Sequence, residues 1–301
     1  MTRDRPQPRV YGTATALRAA LEDRLAAEAT ARAVDVGRLR RQVAFERLLV
    51  RLAADPSSGG PGWVLKGGQA LELRLDGRCR STRDLDLATL DTSNDGVDVH
   101  GRLVDALAVD GQADGFAFAV AAPRPLTADR GGRPGWRFPI DTRLAGRTFV
   151  KVRLEIVARA DEIDGGVEDL TFRSALTFAG LPPSVPVRAV DPEQHAAEKL
   201  HALTRTYGDR PNTRVKDLVD LVLLIEMGLL DAARLAARVQ KVFTIRATHP
   251  LPVDLPRPPA AWYGDYASLV AELDLEAQTA DTGLALVSSL WKDCIAHHGQ
   301  I

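Results

Sequence analysis

Two carboxylates stand one residue apart in Arg80-Ser81-Thr82-Arg83-Asp84-Leu85-Asp86-Leu87, shortly after Lys66-Gly67-Gly68. Side chains two apart on a β-strand leave the same face. Asp84 and Asp86 therefore point together, while Leu85 and Leu87 turn to the opposite, buried side. Carboxylates held side by side repel each other unless a cation lies between them. Mg²⁺ is the usual cation where a nucleotide phosphate is also bound. The spacing points to a metal site for phosphoryl or nucleotidyl transfer.

A second polar group lies further along. Asp191-Pro192-Glu193-Gln194 has the form of a helix start: aspartate as N-cap, proline at the first helical position, glutamine at the third. In the helix that follows, Ala196, Leu200, Leu203 and Tyr207 form the buried stripe and Lys199 falls at its margin. A lysine there either snorkels outward or reaches for an anion. The next helix, around Lys216-Asp217-Leu218-Val219-Asp220-Leu221-Val222-Leu223-Leu224-Ile225, is apolar nearly all round and should be buried. Asp217 and Asp220, three apart, share a face. A carboxylate in such a helix is costly unless paired. Asp220 is then either a structural partner of Lys199 or Arg214, or part of a cleft that faces the first two carboxylates. The two roles are compatible, since a Lys–Asp pair can position the lysine for a phosphate.

The elements that must hold these groups can be read in outline. Residues 13 to 54 carry helical spacing in two helices, broken near Val34-Asp35-Val36-Gly37, and 54 to 62 compose a loop. Trp63-Val64-Leu65 reads as a short strand, Gln69 to Leu75 as a helix, 83 to 90 as the motif strand, 97 to 109 as a helix and Phe116 to Val120 as a strand. Trp136 to Leu144 and Arg147 to Ala158 read as a hairpin closed by Ala145-Gly146. In its second arm Lys151, Arg153 and Glu155 alternate with Val152, Leu154 and Ile156. Glu155 thus lies on the polar face, either in a surface ion pair with Arg153 or Lys151, or brought to Asp84 and Asp86 by a neighbouring strand. The proline-rich stretch Leu181 to Pro186 suggests a link between halves, with a helical pattern after it, in which Trp262-Tyr263 and Trp291 are either substrate surface or, the simpler reading, helical core. The simplest architecture is α+β: residues 1–180 with a mixed sheet and N-terminal helices, and a helical part at 187–301.

Composition narrows the class. At 301 residues, with 45% hydrophobic and 26% charged residues, the chain is a globular protein of one large or two ordinary domains. Its two cysteines, Cys79 and Cys294, are too few and too distant for a disulfide framework or a zinc site. No apolar run reaches the ~20 residues of a spanning helix, and the first residues lack a signal peptide's apolar core. A cytoplasmic protein with no membrane partner is the expectation. The net charge of −1 excludes a histone-like binder. Arginines are nevertheless dense at Arg38, Arg40, Arg41 and Arg47 and at Arg74, Arg78, Arg80 and Arg83, as a basic surface beside the acidic site or as ordinary solvated helix faces.

The stretch Val64-Leu65-Lys66-Gly67-Gly68-Gln69-Ala70-Leu71-Glu72-Leu73-Arg74, then Arg80 to Asp86, resembles the AbiEii/MenT nucleotidyltransferase toxins of the DNA polymerase β-like superfamily. Glu193 to Leu203 (EQHAAEKLHAL) and Val215 to Leu221 (VKDLVDL) look like that family's later motifs, in the expected order. The resemblance implies a bilobed enzyme with its site between the lobes, paired with an antitoxin. It also implies transfer of nucleotides from NTP to tRNA acceptor ends, blocking translation. By position, Asp84 and Asp86 resemble the metal-binding pair, with Glu155 as a third carboxylate by pattern only, and Lys199 and Asp220 the distal catalytic lysine and aspartate. Gly67 and Gly68 resemble the turn whose amides approach phosphate; with Lys66, Arg80, Arg83 and Asp217 they form the candidate nucleotide-binding set. One departure stands out: Gln69 occupies the place where a small hydroxyl residue commonly follows the glycines. A phosphate on Ser81 or Thr82 would add about −2 of charge beside the carboxylates, a candidate point of antitoxin control, though both also suit plain strand-entry residues. Rival readings are transfer to a protein or small-molecule hydroxyl, and an inactive relative that only binds RNA or a partner.

Overall fold

A computed structural model of the chain describes residues 11–54, 62–90, 95–109, 114–126, 133–174 and 184–298. The loop expected at 54 to 62 lies almost wholly outside them. Two helices come first, α1 (Ala14–Arg32) and α2 (Val36–Ala53). The break between them falls where expected: Ala33 takes a left-handed φ of 52° and Asp35 caps α2, accepting from the Arg38 amide at 2.9 Å. Then follow β1 (Trp63–Lys66), α3 (Gly67–Arg74), β2 (Asp84–Thr89), α4 (Gly96–Ala108), β3 (Phe116–Val120), β4 (Arg124–Pro125), β5 (Gly135–Leu144) and β6 (Arg147–Ala158). The sheet-bearing part ends with a short α5 (Ala160–Ile163), β7 (Val167–Arg173) and β8 (Ser184–Val190). Five helices follow among the described residues: α6 (Pro192–Thr204), α7 (Val215–Glu226), α8 (Ala232–Arg246), α9 (Trp262–Val270) and α10 (Ala280–His298).

The strands form one mixed sheet in the order β3-β5-β6-β2-β1-β8-β7, with β4 on β5. The motif strand β2 sits inside it, antiparallel to β1 and parallel to β6. Alternation along β2 does what the sequence requires. Leu85 and Leu87 are buried under α2 and α4 with Phe45, Leu48, Leu154 and Ile156, leaving both aspartates on the other face. The β5–β6 hairpin turns at Ala145-Gly146, both with positive φ, as expected.

One expectation needs correction. The stretch 181 to 186 is not wholly a link: Ser184 to Pro186 already belong to β8, which pairs with β7 and runs parallel to β1. Pro186 hides the strand, because a proline within an apolar run argues against a sheet interior; here it lies opposite Thr171 of β7. The β7 strand was not expected either.

The helical part has its own core, into which Trp262 and Trp291 are buried, as expected, whereas Tyr263 is exposed and stands outside it. Leu71, Leu75 and Cys79 from the sheet-bearing part join the same core, so α3 and the loop after it tie the sheet to the helical part. Polar struts cross the same boundary: Lys66 Nζ lies 2.5 Å from Glu198 Oε2, and Arg246 Nε donates to Glu162 at 2.9 Å.

Candidate active site between the sheet and the helices

Strand register assembles the acidic side. Asp86 faces Lys66 of β1 on one flank and Glu155 of β6 on the other; Asp84 faces Arg153. Each outer carboxylate has an arginine. Arg153 Nε donates to Asp84 Oδ1 at 2.7 Å, and Arg137 of β5 donates to Glu155 Oε1 from Nε at 2.9 Å, its terminal nitrogen 2.7 Å away. Asp86 has no hydrogen bond or ion pair among the described residues. Its carboxyl is pushed up to about 6, first by burial and then by the negative charge of Glu155, with Asp84 adding and Lys66 and Lys199 opposing. Surplus negative charge on hard oxygen donors is the condition a divalent cation relieves, so Asp84 and Asp86 suit such an ion. Among the described residues no three His, Cys, Asp or Glu side chains converge into a ready metal cluster; Glu155 stands beside the pair, held by Arg137.

Beside these carboxylates the chain turns from β1 into α3. Gly67 has a φ of +64°, and a Cβ there would sit 2.0 Å from Asp86 Oδ2. Only glycine lets the backbone pass this close to the carboxylate. Gly68 packs on Thr82, whose hydroxyl donates to the Asp84 carbonyl at 3.1 Å. Among the described residues no side chain caps α3, and Gly67 and Gly68 at its start line the cleft, the kind of helix start that suits phosphate. Gln69 is buried and turned away, lining a separate polar pocket with Gln42 and Glu72. It offers no substitute for the missing hydroxyl.

The helical part supplies the opposing wall. Asp191 caps α6 as read, accepting from the Gln194 amide at 2.6 Å. Lys199 does not snorkel: it is 7% exposed, with Nζ 2.6 Å from Asp220 Oδ2 and 3.0 Å from Asp217 Oδ1. Burial alone would lower the ammonium, but Asp220 and Asp217 outweigh it and hold it above the usual lysine range. Asp220 is completely buried and also receives a two-pronged bond from Arg80, Nε at 2.8 Å and the terminal nitrogen at 2.6 Å. Burial would raise this carboxyl; Lys199 and Arg80 more than reverse that, so it stays ionised. One buried aspartate thus fixes a cation from each part of the molecule, with the fork geometry particular to arginine. Arg80 is a strut as much as a free ligand group.

Two clefts meet at Asp86. The smaller, about 420 Å³, is lined by Lys66, Gly67, Glu155, Lys199, Lys216 and Asp217. The larger, about 1320 Å³, runs past Arg38, Arg41, Arg78, Arg83 and Arg153 to an aliphatic wall at Leu269 and Leu273. Gly68, Arg80, Asp86 and Lys216 border both. Arg83 is exposed and makes no ion pair among the described residues. Ser81 is exposed to the larger cleft, whereas Thr82 is engaged. The basic surface is narrower than the arginine count suggested. Arg47 is buried with Glu46 and Asp114, Arg40 is spent on Glu22, and Arg74 on Glu168.

Sequence reading missed the partners: Arg153 on Asp84, Arg137 on Glu155, Glu198 on Lys66, and Arg80 on Asp220. It also missed His195, buried in the wall of the smaller cleft with neither ring nitrogen hydrogen-bonded among the described residues. Burial, then the charges of Lys199, Arg74, Lys66 and Arg80, hold that imidazole well below its usual range, hence neutral.

A mixed sheet carrying paired aspartates next to a glycine turn, faced by a buried lysine, is an arrangement suited to nucleotidyl transfer. The structure of MenT4, a nucleotidyltransferase toxin from Mycobacterium tuberculosis H37Rv, is similar, with a TM-score of 0.53 at 21% identity over 93% of this chain and 95% of that one. A Megavirus polyadenylate synthase is more distant, with a TM-score of 0.33 at 12% identity over 75% of this chain and 41% of that one. Comparison with curated protein sequences finds no match. The family model for the nucleotidyl transferase AbiEii toxin of type IV toxin–antitoxin systems matches residues 47–288, and the chain belongs to that family. It is accordingly a toxin-type nucleotidyltransferase that uses NTP and is countered by an antitoxin. Among the described residues no helix is long and apolar enough to cross a membrane.

Proposed function

We propose that this chain transfers a nucleotide from NTP to the 3′ hydroxyl of a tRNA acceptor end and so blocks translation, with Mg²⁺ at Asp84 and Asp86 and with Glu155 as a further ligand or as base. The observation that carries the reading is the meeting of two clefts at Asp86, one lined by the α3 turn and Lys199, the other by arginines.

The smaller cleft suits the triphosphate. The α3 amides at Gly67 and Gly68, with Lys199 and Lys66 beside them, offer positive charge to its oxygens. Asp220 keeps Lys199 charged and aimed, and Asp217 steadies it from the other side. The larger cleft suits a polyanionic acceptor, through Arg83, Arg41 and Arg78. The acceptor's hydroxyl oxygen forms a bond to the α-phosphorus, the bond to pyrophosphate breaks, and the hydroxyl proton passes to a carboxylate, for which Glu155 is the candidate. Lys199 and Arg80 offset the charge that grows on the phosphoryl oxygens. Bound Mg²⁺ would supply charge neutralisation of the triphosphate and activation of the hydroxyl.

The test is incubation of the protein with each labelled NTP and purified tRNA, with total protein and a small-molecule fraction in parallel. Sequencing of 3′ ends should show added nucleotides on tRNA, and Asp84→Ala should add none. Label arriving only in protein or small molecules would replace the acceptor named here, and label arriving nowhere would favour a binding relative.

A further inference from the structure

We propose that Arg153 is a positioning residue that changes partners: it neutralises Asp84 while the cation site is empty of metal, and once metal takes Asp84 it swings to hold a phosphate of the acceptor in the larger cleft. This rests on the metal and acceptor reading given above, and it adds to that reading an order of events.

The geometry is specific. Asp84 and Arg153 are register partners on adjacent parallel strands, so their side chains leave the same face of the sheet side by side. The guanidinium Nε lies 2.7 Å from Asp84 Oδ1. A divalent ion held by Asp84 and Asp86 draws on the same carboxylate charge and repels a guanidinium this close, which weakens the Arg153–Asp84 bond. Arg153 cannot retreat to another carboxylate on its strand face. Glu155, two residues on, already takes Arg137 with its own fork, and Asp141, opposite Lys151, takes Arg143 at 2.8 Å. What remains within reach is the larger cleft, whose wall Arg153 already forms together with Arg38, Arg41 and Arg83.

Displacement should be easy. The side chain of Arg153 is 51% exposed and that of Asp84 33%. Pairs this open contribute little, so the arginine weakens metal binding by only about two- to fivefold. In return, the released guanidinium gives a fork suited to phosphate oxygens. Metal loading thereby raises acceptor affinity, and by reciprocity a bound acceptor raises metal affinity.

The experiment uses full-length protein without NTP and reads binding rather than turnover. Mn²⁺ binding is followed by the loss of the free-ion EPR signal. Acceptor binding is followed by anisotropy of a 5′-fluorescein single-stranded RNA hexamer of mixed sequence, with and without saturating Mn²⁺. Arg153→Gln is compared with Lys151→Gln, an exposed lysine two residues away on the same strand face that controls for net charge, and with Asp84→Asn. Arg153→Gln should bind Mn²⁺ about two- to fivefold more tightly than wild type, a gain that structural damage would not produce; Lys151→Gln should stay at the wild-type value. Wild-type RNA affinity should rise severalfold with Mn²⁺, and that rise should vanish in Arg153→Gln. Unchanged or weaker Mn²⁺ binding in Arg153→Gln, or an Mn²⁺-driven rise in RNA affinity that survives the substitution, would overturn the proposal while leaving the metal site intact. If Asp84→Asn binds Mn²⁺ as wild type does, or no protein binds it, the metal reading fails and this inference with it.

Discussion

Replacing Asp86 with asparagine should make the protein more stable while destroying its activity. The carboxyl is raised from 3.8 to about 6 by burial and by Glu155 and Asp84. Folded Asp86 therefore keeps its proton up to about pH 6, whereas unfolded Asp86 releases it near 3.8. The folded state binds the extra proton, so the wild type loses stability as pH rises through that window and keeps the loss above it. Asparagine is isosteric and never ionises. A tenfold change in proton affinity is worth about 1.4 kcal/mol, so the rise at Asp86 sets a ceiling of about 3 kcal/mol. Solvent reaches part of the Asp86 side chain, and screening brings the gain to about 1–2 kcal/mol. For a chain of this size that is roughly 2–3 °C in Tm. Thermal melts of wild type and Asp86→Asn in EDTA, from pH 3.5 to 8, give the difference directly. The advantage should be full above pH 6, shrink between 6 and 4, and vanish below 4. Added Mg²⁺ should raise the wild-type Tm and leave the variant unmoved. A variant less stable than wild type at pH 7.5, or a difference that does not change with pH, would refute the crowding of charge on which the site depends.

Other outcomes follow from the same contacts. Lys199→Met leaves Asp217 and Asp220 with one cation fewer in a buried place; Arg80 still holds Asp220, so a loss of about 2–4 kcal/mol is expected by urea denaturation, with no nucleotide transfer in the labelled-NTP assay. Gly67→Ala places a Cβ against Asp86 Oδ2 at a positive φ, and should cost about 1–3 kcal/mol and remove Mg²⁺-dependent stabilisation by NTP in a thermal-shift assay. Arg80→Lys keeps the charge but loses the two-pronged bond to Asp220, lowering stability by about 1–3 kcal/mol, seen as a lower denaturant midpoint. Ser81→Glu, at the exposed position, should weaken NTP or RNA binding more than Thr82→Val, measured by anisotropy; equal effects would remove Ser81 as a point of control.

Much of the site was legible because its signals are local. The two-residue spacing of Asp84 and Asp86 fixes their shared face on any strand, and the buried Leu85 and Leu87 follow from the same period. Asp191 and Pro192 announce the start of α6 through cap chemistry confined to one turn. The apolar surround of Asp220 required a paired carboxylate, and the pair is there. The β8 strand was hidden because its proline, Pro186, speaks against a sheet, and only its partners β1 and β7 make it one.

What the sequence determined by itself, then, is which side chains share a face and which carboxylates need a counter-charge. Apart from Lys199 on Asp220, tertiary structure decided who supplies that charge. Arg153 reaches Asp84 through the β2–β6 register, Lys66 meets Glu198 across the boundary between sheet and helices, and Arg80 bonds Asp220 from 140 residues away. Periodicity is set by the backbone of a few neighbouring residues, whereas register and docking are set by the burial of whole faces, and no local pattern encodes them.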